Sequence, residues 1–99
     1  MADGFTLDDR VRVGCAPGVV FTRAGDEAVL IDEGRGEVHI VNETAARIWE
    51  LCATEPTFGE LVEAMSGEYA VDEAELRPDL ESFLARFEEL GLIVGSPPS

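Results

Sequence analysis

Lysine is absent from the chain, and its seven arginines are set against 21 aspartates and glutamates, a net charge of −14. The imbalance is not local: five arginines oppose ten acids up to Glu50, and two oppose eleven after it. Proteins that hold nucleic acid or lie on anionic membranes need cations to neutralise phosphates, so the sequence argues against both partners. A basic peptide or a basic protein patch suits it better, although acidity also serves plain solubility. Histidine occurs once, at His39, and the two cysteines, Cys15 and Cys52, match no zinc, redox or disulfide-framework spacing. They read as reduced, half-buried apolar residues, and no metal ligands are assigned. No stretch approaches the ~18 consecutive apolar residues of a membrane span. The first ten residues carry three aspartates and no apolar run, so no export signal is read there and a cytoplasmic, soluble protein is expected.

Catalytic patterns are equally scarce. Ser66 and Ser82 lack the G-x-S-x-G turn of an activated nucleophile, and His39 has no nucleophile beside it in sequence. The segment "GRGE" at 34–37 is too short to cradle a phosphate and reads as a hairpin turn. Adjacent acids such as Asp8-Asp9, Asp32-Glu33 and Glu88-Glu89 follow from the composition alone and read as a solvated surface. The expectation is a protein without catalytic residues or cofactor, and not an enzyme.

What is present is an ordered change of period. Ninety-nine residues with 45% hydrophobic content suit one domain with one core. Short β-rich runs at 19–23, 28–32 and 37–41, separated by turn residues, predict an antiparallel meander, with a weaker run "VRV" at 11–13 before it. After Asn42 the period becomes helical. Asn42 caps a first helix over 43–52, whose apolar face is Ala45, Ile48, Trp49 and Cys52. Thr57 and Glu60 have capping-box spacing for a second helix, with Phe58, Leu61, Val62 and Met65 inward and an end near Ser66-Gly67. A third, longest helix follows Asp72. Its Leu76, Leu80, Phe83, Phe87 and Leu90 span an arc of roughly 80°, with Leu84 beside it. Pro78 predicts either a separate first turn or a bend. Gly91 stops this helix, and "LIV" at 92–94 then folds back on the core. Strands first and helices after define an α+β domain over 11–94, flanked by a flexible segment at 1–10 and a tail at 95–99.

The strand at 37–41 enters its helix through one residue, which places it at a sheet boundary with unpaired N–H and C=O groups. "VHIV" has neither the lysine nor the proline that commonly blunts such an edge. An extended peptide docking as an added strand would satisfy those groups. The alternative is that another element, such as the "VRV" strand, covers the edge.

Taken together, "APG" at 16–18, "AVLIDEGRGEVHIVN" through the hairpin, "ETAARIWEL", "TFGELVEAMSGEYAVD" and "DLESFLARFEELGLI" resemble the PqqD-like domains, or RiPP recognition elements, over about residues 16–94. The resemblance implies a three-stranded antiparallel sheet followed by three helices, winged helix-turn-helix-like and non-catalytic. It also implies binding of the leader segment of a ribosomally made precursor peptide as a fourth strand, and presentation of that peptide to a tailoring enzyme such as a radical-SAM enzyme, a protease or a cyclase. Carried onto this chain, the edge is Glu37, Val38, His39, Ile40 and Val41. The groove wall is Leu76, Leu80, Phe83, Leu84 and Phe87, with Arg77 and Arg86 for leader carboxylates; the alternative for Phe83 and Phe87 is a purely structural place in the core. Leu84, off the core arc, is the preferred groove residue. Two other functions fit the residues: a winged-helix regulator binding nucleic acid, against which the glutamates of the third helix argue, and an acidic subunit that stabilises an enzyme without binding a leader. Pairing of two copies along the same edge, as a homodimer, also stays open.

Overall fold

A computed structural model of the chain describes residues 8–96. The elements run β1 (Arg12–Cys15), β2 (Val19–Ala24), β3 (Glu27–Asp32), β4 (Glu37–Val41), α1 (Glu43–Cys52), α2 (Phe58–Tyr69), α3 (Glu73–Glu89) and β5 (Ile93–Ser96). Strands β2, β3 and β4 form the expected antiparallel meander, in that order. Its inward face is set by alternation along β3, where Ala28, Leu30 and Asp32 are buried and Val29 and Ile31 turn to the other side.

The weak first run pairs elsewhere. β1 lies antiparallel to β5, with Val13 opposite Gly95 and Cys15 opposite Ile93. Its other edge meets the α1–α2 connection, where Val13 N–H donates to the Pro56 carbonyl at 2.9 Å and Phe58 N–H donates to the Val11 carbonyl at 2.8 Å. With both edges occupied, β1 does not reach β4. Of the expected flexible segment 1–10, residues 1–7 lie outside the described residues. Asp9 is held at its carbonyl by the Gly59 N–H and at its carboxylate by Arg77.

The helices follow their caps. The Asn42 side chain accepts from Ala45 N–H at 2.9 Å and starts α1. Thr57 and Glu60 close a reciprocal capping box at the start of α2. α2 continues past Ser66-Gly67 to Tyr69, where Ala70 adopts φ 54° and ends it. Pro78 sits inside an unbroken α3, so the first turn is not separate; the proline is exposed. α3 ends in a Schellman turn, with Gly91 at φ 75° and Leu92 N–H donating back to the Phe87 carbonyl at 2.9 Å.

The core joins all layers through Val13, Leu30, Ile48, Trp49, Phe58, Met65, Leu84 and Leu92, all buried. Trp49 is core, stacked on Phe21 of β2 at 6.4 Å between ring centroids. No helix among the described residues is long and apolar enough to cross a membrane.

Candidate functional site

Among the described residues, β4 pairs with β3 alone, so its outer edge is open. Alternate residues of an antiparallel strand direct their N–H and C=O groups to opposite edges, so about half of those on β4 point away from β3. The edge carries no proline or lysine. Glu37, His39 and Val41 share the inward side, and His39 Nε2 lies 3.3 Å from Glu37 Oε1. Val38 and Ile40 face outward and are 62% and 69% exposed.

The hairpin that presents this edge is tied to the end of α3. Asp32, buried at the turn, accepts from Arg35 N–H at 3.2 Å, and the Arg35 guanidinium donates to the Leu90 carbonyl at 3.3 Å. Gly91 makes room for that side chain, since a Cβ there would stand 2.9 Å from Arg35 Cζ.

A cleft of about 370 Å³ opens where β4 passes into α1, lined by Asn42, Thr44, Ile48, Met65, Leu76, Asp79, Leu80 and Phe83. Three helices build it. Buried Ile48 and Met65 form its apolar floor, and half-buried Leu76 and Phe83 stand on α3. At about 100° per residue, Leu76, Asp79 and Phe83 fall on one flank of α3 relative to Leu80, while Leu84 and Arg77 fall on the other.

The structure therefore divides the expected groove wall. Leu76, Leu80 and Phe83 line the cleft. Leu84, the preferred groove residue, is 0% exposed and belongs to the core, because the buried seam of α3 runs Leu80, Leu84, Phe87 rather than beside Leu84. Phe87 is likewise core, packed edge-on against Phe83 at 5.4 Å. Arg77 is not free for a peptide carboxylate: it donates to both Asp9 oxygens, at 2.6 and 2.9 Å, and lies 5.6 Å over the Phe58 ring. That fork, a hydrogen bond first of all, holds the Asp9 carboxyl below its ordinary range. Arg86 is exposed and, among the described residues, makes no ion pair; it lies a turn beyond Phe83 on the cleft flank. Thr44 and Asp79, to which the sequence assigns no role, join the site, as do Ile48 and Met65, which it places in the core. Asp79 stands one position beyond Pro78, and only the helix running unbroken through the proline shows that it faces the cleft.

The remaining polar groups serve the scaffold. Arg47 bridges α1 to α2 through Glu68, at 2.7 and 2.8 Å, and Arg23 bridges β2 to α1 through Glu50 at 3.1 and 3.2 Å. These hydrogen bonds keep the carboxyls of Glu68 and Glu50 below their ordinary range. Burial pushes the thiols of Cys15 and Cys52 up to about 11 and about 12, which leaves them protonated near neutral pH. Among the described residues no cluster of three or more histidine, cysteine, aspartate or glutamate side chains is placed to hold a metal ion.

Comparison with known proteins places the fold. Residues 27–93 match the family model described as coenzyme PQQ synthesis protein D (PqqD). Among solved structures the chain is similar to TbiB1, determined in complex with the TbiA(beta) leader peptide: the TM-score is 0.74, at 29% sequence identity, over 81% of this chain and 93% of that one. A comparison with curated protein sequences finds no match. The matched span runs from β3 through α3 into β5, so it takes in the open edge and the cleft alike, and the chain belongs to the PqqD family.

Proposed function

We propose that the chain binds the leader segment of a ribosomally made precursor peptide as an added strand on β4, with alternate side chains seated in the cleft against α3, and presents the rest of that peptide to a tailoring enzyme. The observation that carries this reading is the open β4 edge running directly into the apolar cleft at Asn42. The similarity to a protein solved with a leader peptide supports it.

The division of labour follows from the chemistry of each part. Main-chain pairing along a five-residue strand supplies sequence-independent affinity over about 17 Å. Selectivity comes from the cleft, where Leu76, Leu80 and Phe83 favour apolar anchors. Asp79 at its wall disfavours an acidic side chain nearby, and Arg86 offers a carboxylate partner farther along. Two or three buried anchors on a preformed edge place the affinity between about micromolar and nanomolar, less the ordering entropy of the peptide. The chain takes no chemical step in this reading. Nucleic acid is the poorer ligand, since α3 carries Glu73, Glu75, Glu81, Glu88 and Glu89 while Arg77 is held by Asp9.

Titration with a synthetic peptide copying the leader of a candidate precursor peptide, followed by amide chemical shifts, tests the reading. Shifts concentrated in 37–41 and in the cleft flank of α3 are expected. Saturable binding with shifts confined to β1, β5 or α2 would send the peptide to another surface, and no binding at about millimolar peptide would leave the chain without the proposed ligand.

A further inference from the structure

The sheet is apolar on both faces, and among the described residues only one of them is covered. On the face away from the helices, the register aligns two cross-strand rows, Val20–Ile31–Val38 and Thr22–Val29–Ile40. All six side chains are β-branched. Val20, Val38 and Ile40 are 42%, 62% and 69% exposed, and they are three of the five exposed large hydrophobic residues among those described. A sheet meant to meet water on one side normally alternates apolar with polar residues; a strand apolar on both sides, as in Ala28–Ile31, is what a doubly covered sheet requires. Strand propensity alone does not ask for this pattern. Threonine, used at Thr22, supplies the same β-branching without an exposed apolar surface.

Size and charge say what covers it. Two rows across three strands, at about 4.8 Å between strands and about 7 Å between rows, offer on the order of 200–300 Å². A stable contact needs about 800 Å² from each partner, so the rows form the centre of a larger interface with a polar rim. That rim is anionic. Glu27 lies on the same face by alternation, and Asp26 and Glu33 are exposed in the adjoining turns. Among the described residues, six of the seven arginines are engaged by carboxylates or carbonyls of the chain itself, leaving Arg86, which lies on α3 rather than on the sheet. A second copy would bring the same carboxylates and another net charge of −14 against the first.

We infer that this outer sheet face is a docking site for a different protein, one that presents an apolar strip bordered by lysine or arginine. Resting on the leader-binding reading, that protein is the enzyme that modifies the bound peptide. The rows end on β4, so a strand added at its edge extends them and sets the guest's outward side chains inside the same contact.

The test uses the full chain, a purified enzyme that modifies the candidate precursor, and the synthetic leader. Val20 stands two strands from the β4 edge, about 10 Å away, outside the leader's reach. Val20→Lys is expected to weaken the enzyme about tenfold or more while leaving leader affinity within about twofold. Val20→Thr, which keeps the strand's branching, is expected to give a smaller loss in the same direction. Wild-type affinity for the enzyme falls as sodium chloride rises from about 50 to about 300 mM, and Glu27→Lys weakens it as well. Unchanged enzyme affinity in both Val20 variants overturns the inference. So does a wild-type dimer in analytical ultracentrifugation that Val20→Lys dissociates, since the occupant is then a second copy. Enzyme docking that Val20→Lys abolishes, in a protein that binds no leader, supports the inference and removes the leader reading on which the enzyme's identity rests.

Discussion

Neighbouring residues on α3 separate stability from binding. Leu84 is 0% exposed in the shared core of sheet and helices, whereas Phe83 is half-buried, lines the cleft and leans edge-on against Phe87 at 5.4 Å. Truncating a fully buried leucine removes its transfer energy and leaves a cavity, about 3 kcal/mol for Leu84→Ala. With a urea m-value of about 1.5 kcal/mol/M, that lowers the unfolding midpoint by about 2 M, a large share of what a domain of this size has. Phe83→Ala forfeits only the part of the ring already buried, about 1–2 kcal/mol of stability. On the proposed reading the rest of the ring is covered when the leader docks, so its loss is expected to cost about 1.4 kcal/mol or more of binding, at least about tenfold in Kd. Urea unfolding followed by Trp49 fluorescence gives the first pair of numbers, and calorimetric titration with the leader, at a temperature where both variants are folded, gives the second. Leader affinity weakened equally by both variants, or a larger stability loss in Phe83→Ala than in Leu84→Ala, would refute the assignment of one residue to the core and the other to the cleft.

Further outcomes follow from single contacts. Of residues 39 and 40, adjacent positions direct their N–H groups to opposite edges, so proline at one breaks the β3 ladder and lowers the melting temperature, while proline at the other mainly weakens leader binding; equal effects at both sites would count against an open edge. Gly91→Ala forces a φ of 75° on alanine and crowds Arg35, costing about 1–2 kcal/mol and a fall of about 4–15 °C in Tm, read by calorimetry. Glu50, Glu68 and Asp9 have carboxyls held below their ordinary range, so what they add to stability is complete above the unfolded-state values and is lost as pH falls through the lower folded-state ones. Urea midpoints measured from pH 5 downward should therefore decline, and Arg47→Gln, which removes the partner of Glu68, should flatten that decline.

Local chemistry was legible in the sequence, and long-range pairing was not. The Asn42 cap, the Thr57–Glu60 box and the alternation through Ala28, Val29, Leu30 and Ile31 are decided within a few residues, and the structure has α1 at the expected 43–52. The partners of Arg77 and of β1 are not local. Asp9 lies 68 positions from Arg77, and β1 is separated from β5 by almost the whole chain, so neither contact leaves a periodic trace. Periodicity along α3 located its apolar arc but could not say which flank meets the cleft. That depends on where α1 and α2 sit, so the arc alone puts Leu84 in the groove and gives no sign of Asp79. The end of α2 expected near Ser66-Gly67 falls short of the observed one, because the αL residue that stops the helix is Ala70 rather than a glycine.

Hydrogen exchange at individual β4 amides, with and without the synthetic leader, tests most directly whether this edge receives a strand. In the free protein the alternate amides of 37–41 that point away from β3 should exchange as open groups, and saturating leader should slow them about a hundredfold or more, with those already paired to β3 changing much less. Outward amides already protected before any peptide is added, or a bound leader that leaves them unprotected, would contradict it.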